Sequence, residues 1–160
     1  MLAIPFELTE NHVERADFCT RFRNAAGVWR RYAVFLRHGA REFLKWASER
    51  YELVLFTAAE RRYADPIVDA LESGERLFSH RLYREHCIAA PVGKVGTPLK
   101  SLRAIGDRRY EQCMLVDDNP LHLEANKDRS VHVKPFVDPE KNDEELAILE
   151  ILLGVSTIFS

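Results

Sequence analysis

"CMLVDDNP", residues 113–120, carries a short apolar run into two adjacent carboxylates, Asp117 and Asp118, followed by Asn119 and Pro120. A buried strand that ends in paired acids is how α/β folds often present a metal ion or a phosphate. Asp-Asp-Asn-Pro is also good turn chemistry. The stretch alone leaves both readings open, and the rest of the chain decides between them.

Elements alternate on either side of it. "MLAIPFEL" (1–8) reads as a short strand, and residues 17–36 as two strands around a hairpin-type turn at 24–27. After Gly39, "AREFLKWASERY" (40–51) places Phe43, Leu44, Trp46 and Tyr51 at roughly helical spacing. "ELVLFTA" (52–58) is a continuous apolar strand of the kind buried on both faces. A second helix, starting at Ala58, carries Tyr63, Ile67, Val68 and Leu71, with Pro66 either near its first turns or kinking it. "GTPLKSLRAIG" (96–106) predicts a compact helix with Thr97 as N-cap, Pro98 at the first position and Gly106 past the end. The strand into Asp117 follows, then another in "SVHVKPF" (130–136). A last helix, "DEELAILEILL" (143–153), is capped by Asp143 or Asn142. Strands alternating with helices imply an α/β fold. Its mainly parallel sheet is flanked by helices on both sides, with a small β-hairpin insertion after the first strand.

Composition limits the setting. At 160 residues, 46% hydrophobic and 30% charged, residues 1–160 suffice for one well-buried core and not for two ordinary domains. A net charge of -2 with mixed signs gives no basic field, so no direct nucleic-acid partner is expected. The one basic cluster, Arg21, Arg23, Arg30 and Arg31, has Glu14 and Asp17 nearby and reads as a solvated face. Three widely spaced cysteines, Cys19, Cys87 and Cys113, read as reduced thiols in an intracellular protein. The longest apolar tract falls short of the roughly 20 residues that a membrane span requires.

In open α/β sheets the ligand crevice lies at the carboxyl ends of the strands. That rule gathers scattered residues into one candidate site: Glu7 and Thr9 after the first strand, Thr57 after "ELVLF", and Asp117 and Asp118 after "CMLV", with Lys100 just upstream. A hydroxyl, an ammonium and paired carboxylates suit a phosphoryl group beside a magnesium ion. Receiver domains use the same residue types, but there the acidic pair comes first in the chain. Here it comes last.

The blocks "VFLRHGAREFL" (34–44), "YELVLFTAAERRYADPIVDAL" (51–71), "RLYREHC" (81–87), "LKSLRAIG" (99–106) and "LVDDNP" (115–120) occur in the order and approximate spacing of a known family. Over about residues 16–153 the chain resembles the NLI-interacting-factor-like phosphatases. These form a branch of the haloacid dehalogenase superfamily that dephosphorylates the C-terminal tail of RNA polymerase II. The resemblance implies that Thr57 binds a phosphate oxygen, that Lys100 stabilises the nucleophile and the transferred phosphoryl group, and that Asp117 and Asp118 hold magnesium. Arg84 is similar to an arginine near the phosphate, with an ion pair to Glu85 or another acid as the alternative. Tyr63 and Asp65 read as packing and helix-start residues, and the chain's histidines as no zinc site.

The first motif departs from the family pattern. The family has Asp-x-Asp-x-Thr at the end of its first strand, the first aspartate attacking phosphorus and the second acting as general acid and base. The matching segment here is "PFELT" (5–9), which puts Pro5 at the nucleophile position, Glu7 at the second aspartate, and keeps Thr9. Proline has no side-chain oxygen to form an acyl-phosphate or bind a metal, and it removes a backbone donor from what should be a central strand. Glu7, Thr9 and Lys100 are then vestiges of the catalytic set, and magnesium binding at Asp117 and Asp118 is weakened.

The expectation is a degenerate phosphatase domain acting as a phosphate-binding or protein-binding scaffold subunit. Its partner would be a protein or a phosphorylated peptide, the domain serving as a subunit of a larger assembly, in the nucleus, cytoplasm or mitochondrion. The alternative is an active magnesium-dependent protein serine/threonine phosphatase with an unusual first motif.

Overall fold

The two apolar runs that end on Thr57 and Asp117 are both strands in a computed structural model, which describes residues 2–7, 9, 12, 14–24, 26–89, 98–106, 110–141 and 144–158. β4 (Leu53–Phe56) pairs in parallel with β5 (Phe78–Leu82), and β8 (Leu115–Asp117) in parallel with β9 (Ser130–His132). Helices supply the crossovers that parallel pairing demands: α2 (Arg61–Glu72) between β4 and β5, and α3 (Pro120–Ala125) between β8 and β9. α1 (Ala40–Ser48) and α4 (Glu145–Ile158) pack together. Phe43, Leu44 and Ala47 of α1 meet Leu146 and Leu149 of α4, with Val68, Leu71, Phe78 and Val133 completing the main core. The expected cap of α4 at Asn142 or Asp143 lies outside the described residues, as does Thr97. Pro66 sits inside α2, beyond its first turn.

The hairpin after the first strand is present as β2 (Phe18–Arg23) and β3 (Trp29–Leu36). Asn24 shapes its turn: the side-chain carbonyl accepts the N–H groups of Ala26 and Val28, both at 3.0 Å. Gly27 then takes a φ of 76°, in the left-handed region that glycine enters at least cost.

Three sequence expectations are corrected. β1 (Ala3–Glu7) is not a central parallel strand. It runs antiparallel to β3, with Pro5 opposite Val34, at the edge of a sheet ordered β1-β3-β2. Pro5 gives the reason, since a residue without an N–H is tolerated at a sheet edge and not inside one. β4 is half-buried throughout, because a cleft of about 430 Å³ borders it and β8, lined by Val54, Phe56, Leu115 and Val116. Finally, residues 98–106 do not form an α-helix. Pro98–Leu99 is a short strand, β7, paired antiparallel with β6 (Ile88–Ala89), and only Leu102–Ala104 turns, as a 3₁₀ segment capped by Ser101.

One buried ion-pair network fixes the start of β5. Glu72, at the end of α2, accepts the N–H groups of Leu77 (2.7 Å) and Phe78 (2.8 Å) and pairs with Arg81, which also meets Asp65 and Asp69. Burial pushes the Glu72 carboxyl up, but the Phe78 N–H, Arg81 and the Leu77 N–H outweigh it and hold the group below its usual range. A carboxyl with a lowered folded pKa contributes stability that is present above about pH 4.3 and lost as the pH falls below it. The wild type should therefore lose more stability than Glu72→Gln between neutral and acidic pH in thermal melts. Equal acid sensitivity of the two proteins would refute this assignment.

Candidate functional site

Asp117, the last residue of β8, is buried, and its two carboxylate oxygens are divided among three donors. Oδ2 accepts the Lys100 ammonium at 2.6 Å. Oδ1 accepts the Asn119 N–H at 2.8 Å and lies 3.1 Å from His122 Nδ1. The two side chains of the Lys100–Asp117 pair are 14% and 2% exposed, so water screens little of the attraction. Burial works against ionisation of Asp117, but the His122 hydrogen bond, the Lys100 charge and the Asn119 N–H prevail and hold its carboxyl well below the usual carboxylate range.

The local chain explains how His122 and Asn126 arrive there. Asn119 caps α3 by accepting the Leu121 N–H at 3.0 Å, and Pro120 occupies the first helical position. His122 is thus the third helical residue, whose side chain folds back toward the strand end, the geometry that capping boxes exploit. Its other ring nitrogen lies 3.3 Å from the Pro98 carbonyl. Asn126, four residues on and on the same face, is fully buried. It accepts the Leu102 N–H at 2.9 Å and donates to the carbonyls of Lys100 and His122, both at 2.8 Å. This side chain pins the backbone of Lys100 and replaces the helix expected there. Asn126→Ala should cost about 1–3 kcal/mol, the penalty for leaving buried backbone groups unpaired, readable in urea melts. A change within a few tenths would refute that role.

Thr57 follows β4. Its hydroxyl accepts the Ala59 N–H at 3.1 Å, and its own N–H donates to the Leu82 carbonyl. Arg84 closes on the same loop: Nε donates to the Ala58 carbonyl at 2.9 Å, with Glu60 the nearer acid at 3.8 Å, so Glu85 is not its partner. Cys87 links the two halves. Its thiol faces the Thr57 carbonyl; burial pushes it up, and the charges of Lys100 and Arg84 act against that. Thr57, Arg84, Cys87, Lys100, Asp117 and His122 are therefore drawn together, with Asp118 half-buried beside Asp117.

Glu7 and Thr9 are not drawn in. Glu7 is exposed and lies 3.4 Å from Arg30 across the β1–β3 sheet; Thr9 is exposed. Among the described residues, no hydrogen bond or ion pair joins either to Lys100 or Asp117. Tyr63 packs edge-on against Phe22, as expected, whereas Asp65 lies inside α2 rather than at its start, where it accepts the Tyr83 hydroxyl and pairs with Arg81.

This donor set does not fit a magnesium ion. Both oxygens of Asp117 are engaged, Oδ2 by the Lys100 ammonium and Oδ1 by the Asn119 N–H and His122, and Pro5 offers no side-chain oxygen. Among the described residues, no three acidic, histidine or cysteine groups are placed to hold a metal together.

The arrangement of paired parallel strands, hairpin and carboxyl-end residues is that of a haloacid-dehalogenase-like phosphatase fold. The structure of the fission yeast RNA polymerase II CTD phosphatase Fcp1-R271A, bound to beryllium fluoride, matches 97% of this chain with a TM-score of 0.63 at 15% identity. The match covers 47% of that protein. The family follows from the sequence: the model of the NLI interacting factor-like phosphatases matches residues 7–158, and the chain belongs to that family. Among relatives, CTD small phosphatase-like protein 1 of Caenorhabditis elegans is 35% identical over 136 residues, 83% of this chain and 26% of that one. Phosphatase Herzog of Drosophila melanogaster is 32% identical over 151 residues, 92% of this chain and 41% of that one. The chain thus spans less than half the length of either relative. No described helix is long and apolar enough to cross a membrane.

Proposed function

We propose that this phosphatase-family domain is a binding module that holds a phosphorylated or acidic segment of a partner protein without hydrolysing it. Thr57, Arg84 and Lys100 are its phosphate contacts. Asp117 and Asp118 are remnants of a metal site, and Glu7 and Thr9 are remnants of the catalytic set. The observation that carries this reading is the closed Lys100–Asp117–His122 cluster, in which the domain's own cation neutralises the carboxylate that a metal would need. Pro5 supports it from the other side, because no covalent intermediate can form on a side chain without a nucleophile. The test is hydrolysis of a small aryl phosphate with magnesium present. Background rates support the reading, and turnover abolished by both Lys100→Ala and Asp117→Asn overturns it.

A further inference from the structure

The β2–β3 hairpin presents a cationic face whose arginines have no ion-pair partner among the described residues. Cross-strand register sets Arg21 opposite Arg31 and Arg23 opposite Trp29, so all four side chains share one face, and all four are exposed. The other face carries Phe22, stacked on Tyr32 and edge-on to Tyr63. The sequence suggested Glu14 and Asp17 as partners for these arginines. Asp17 instead accepts the Leu36 N–H at 2.8 Å, and among the described residues no carboxylate lies within ion-pair distance of Arg21, Arg23 or Arg31. Like charges directly opposite on a sheet oppose folding, so the Arg21–Arg31 pair does not serve stability.

Trp29 organises this face. It is 56% exposed, and the guanidinium carbons of Arg21 and Arg23 lie 5.3 and 5.2 Å from its ring centroid. Stacking on the indole restrains two long side chains before any ligand arrives, which reduces the ordering cost of binding. Tryptophan and arginine are also the residue types that most often dominate binding energy at protein interfaces. β2 is an outer strand, with no strand paired to its other side among the described residues.

From this juxtaposition we propose that the hairpin face binds an extended peptide with carboxylate or phosphate side chains at alternate positions. Arg21 and Arg23 are two residues apart on a strand, about 7 Å, which is also the spacing of alternate side chains in an extended ligand. A peptide lying along the outer edge of β2 would bring every second side chain to the arginine face. The surface shares no residue with the Lys100 cluster and does not rest on the reading given for it. A peptide is favoured over nucleic acid because the patch is one hairpin wide on a chain of net charge -2.

The experiment titrates the whole chain, at low and high salt, with a short synthetic peptide bearing glutamate at every second position. Its controls are an isomer with contiguous glutamates and a single-stranded oligothymidylate. Trp29 fluorescence reports binding, and calorimetry repeats the measurement. Arg21→Gln and Arg23→Gln should each weaken binding of the alternating peptide about tenfold, as should raised salt, while Lys141→Gln, at an exposed lysine outside both surfaces, leaves it unchanged. Melting temperatures of the arginine variants should be equal to or above that of the wild type, which separates lost binding from lost structure. No binding, equal binding of the contiguous isomer, loss in Lys100→Ala instead of the arginine variants, or preference for the oligonucleotide would each overturn the proposal. Loss in Lys100→Ala alone would leave the Lys100 site standing and remove the hairpin face.

Discussion

Purified and supplied with magnesium, the chain should release phosphate from a small aryl ester no faster than its own Lys100→Ala variant. Loss of a covalent nucleophile lowers turnover by roughly four to six orders of magnitude, and Pro5 has no atom to replace it. Glu7 cannot take over, since among the described residues no hydrogen bond or ion pair joins it to the cluster and it pairs instead with exposed Arg30. Even if it reached phosphorus, the leaving group would lack its proton donor. Pro5→Asp alone should restore nothing, because β1 is paired to β3 and Pro5 stands opposite Val34. Turnover in Pro5→Asp would mean that β1 reaches the Lys100 cluster in solution. Wild-type turnover lost in both Lys100→Ala and Asp117→Asn would mean that Glu7 or an activated water attacks.

The largest stability loss should come from Asp117→Ala, about 3–5 kcal/mol, because it strands a mostly buried ammonium and the groups aligned with it. For a domain of this size that corresponds to a fall in Tm on the order of 10 °C. Lys100→Met should also destabilise, by leaving the carboxylate buried with only His122 and the Asn119 N–H. Replacing both partners by apolar residues should recover part of the loss, since a buried pair removed whole costs less than one broken. A double-mutant cycle in urea decides it. Losses below about 1 kcal/mol in both single variants would show that the pair is solvated and that its apparent burial has no energetic weight.

Local chemistry made part of this legible in the sequence. The apolar runs at 53–56 and 115–117, the turn at Asn24 and the α1 pattern each depend on neighbours a few residues away, and each forms, the first as a half-buried strand where burial on both faces is expected. Thr57, Lys100 and Asp117 were found by the rule that sites gather at strand ends, and Lys100 and Asp117 do meet. What escaped depends on distant partners. Residues 98–106 carry good helix-start residues, yet Leu99 pairs with Ile88, and Asn126 takes the Leu102 N–H and the Lys100 carbonyl. β5 and α3 carry no clear local signal, the first because only its pairing with β4 defines it, the second because Asp-Asp-Asn-Pro suits a strand end or a turn equally well. His122 was findable, since an Asn-Pro helix start aims the third helical residue back at the strand it follows.

Pro5 has one more effect, and it concerns how molecules of this protein avoid each other. An edge strand reading "AIPFE" would, with valine at its centre, be a short apolar ribbon ready to pair with a neighbour's edge. Proline withholds a backbone donor and stiffens the chain at that point. The residue that, on the proposed reading, removes the means of attacking phosphorus also guards the edge against self-association, so solubility gives it a reason to stay that catalysis does not.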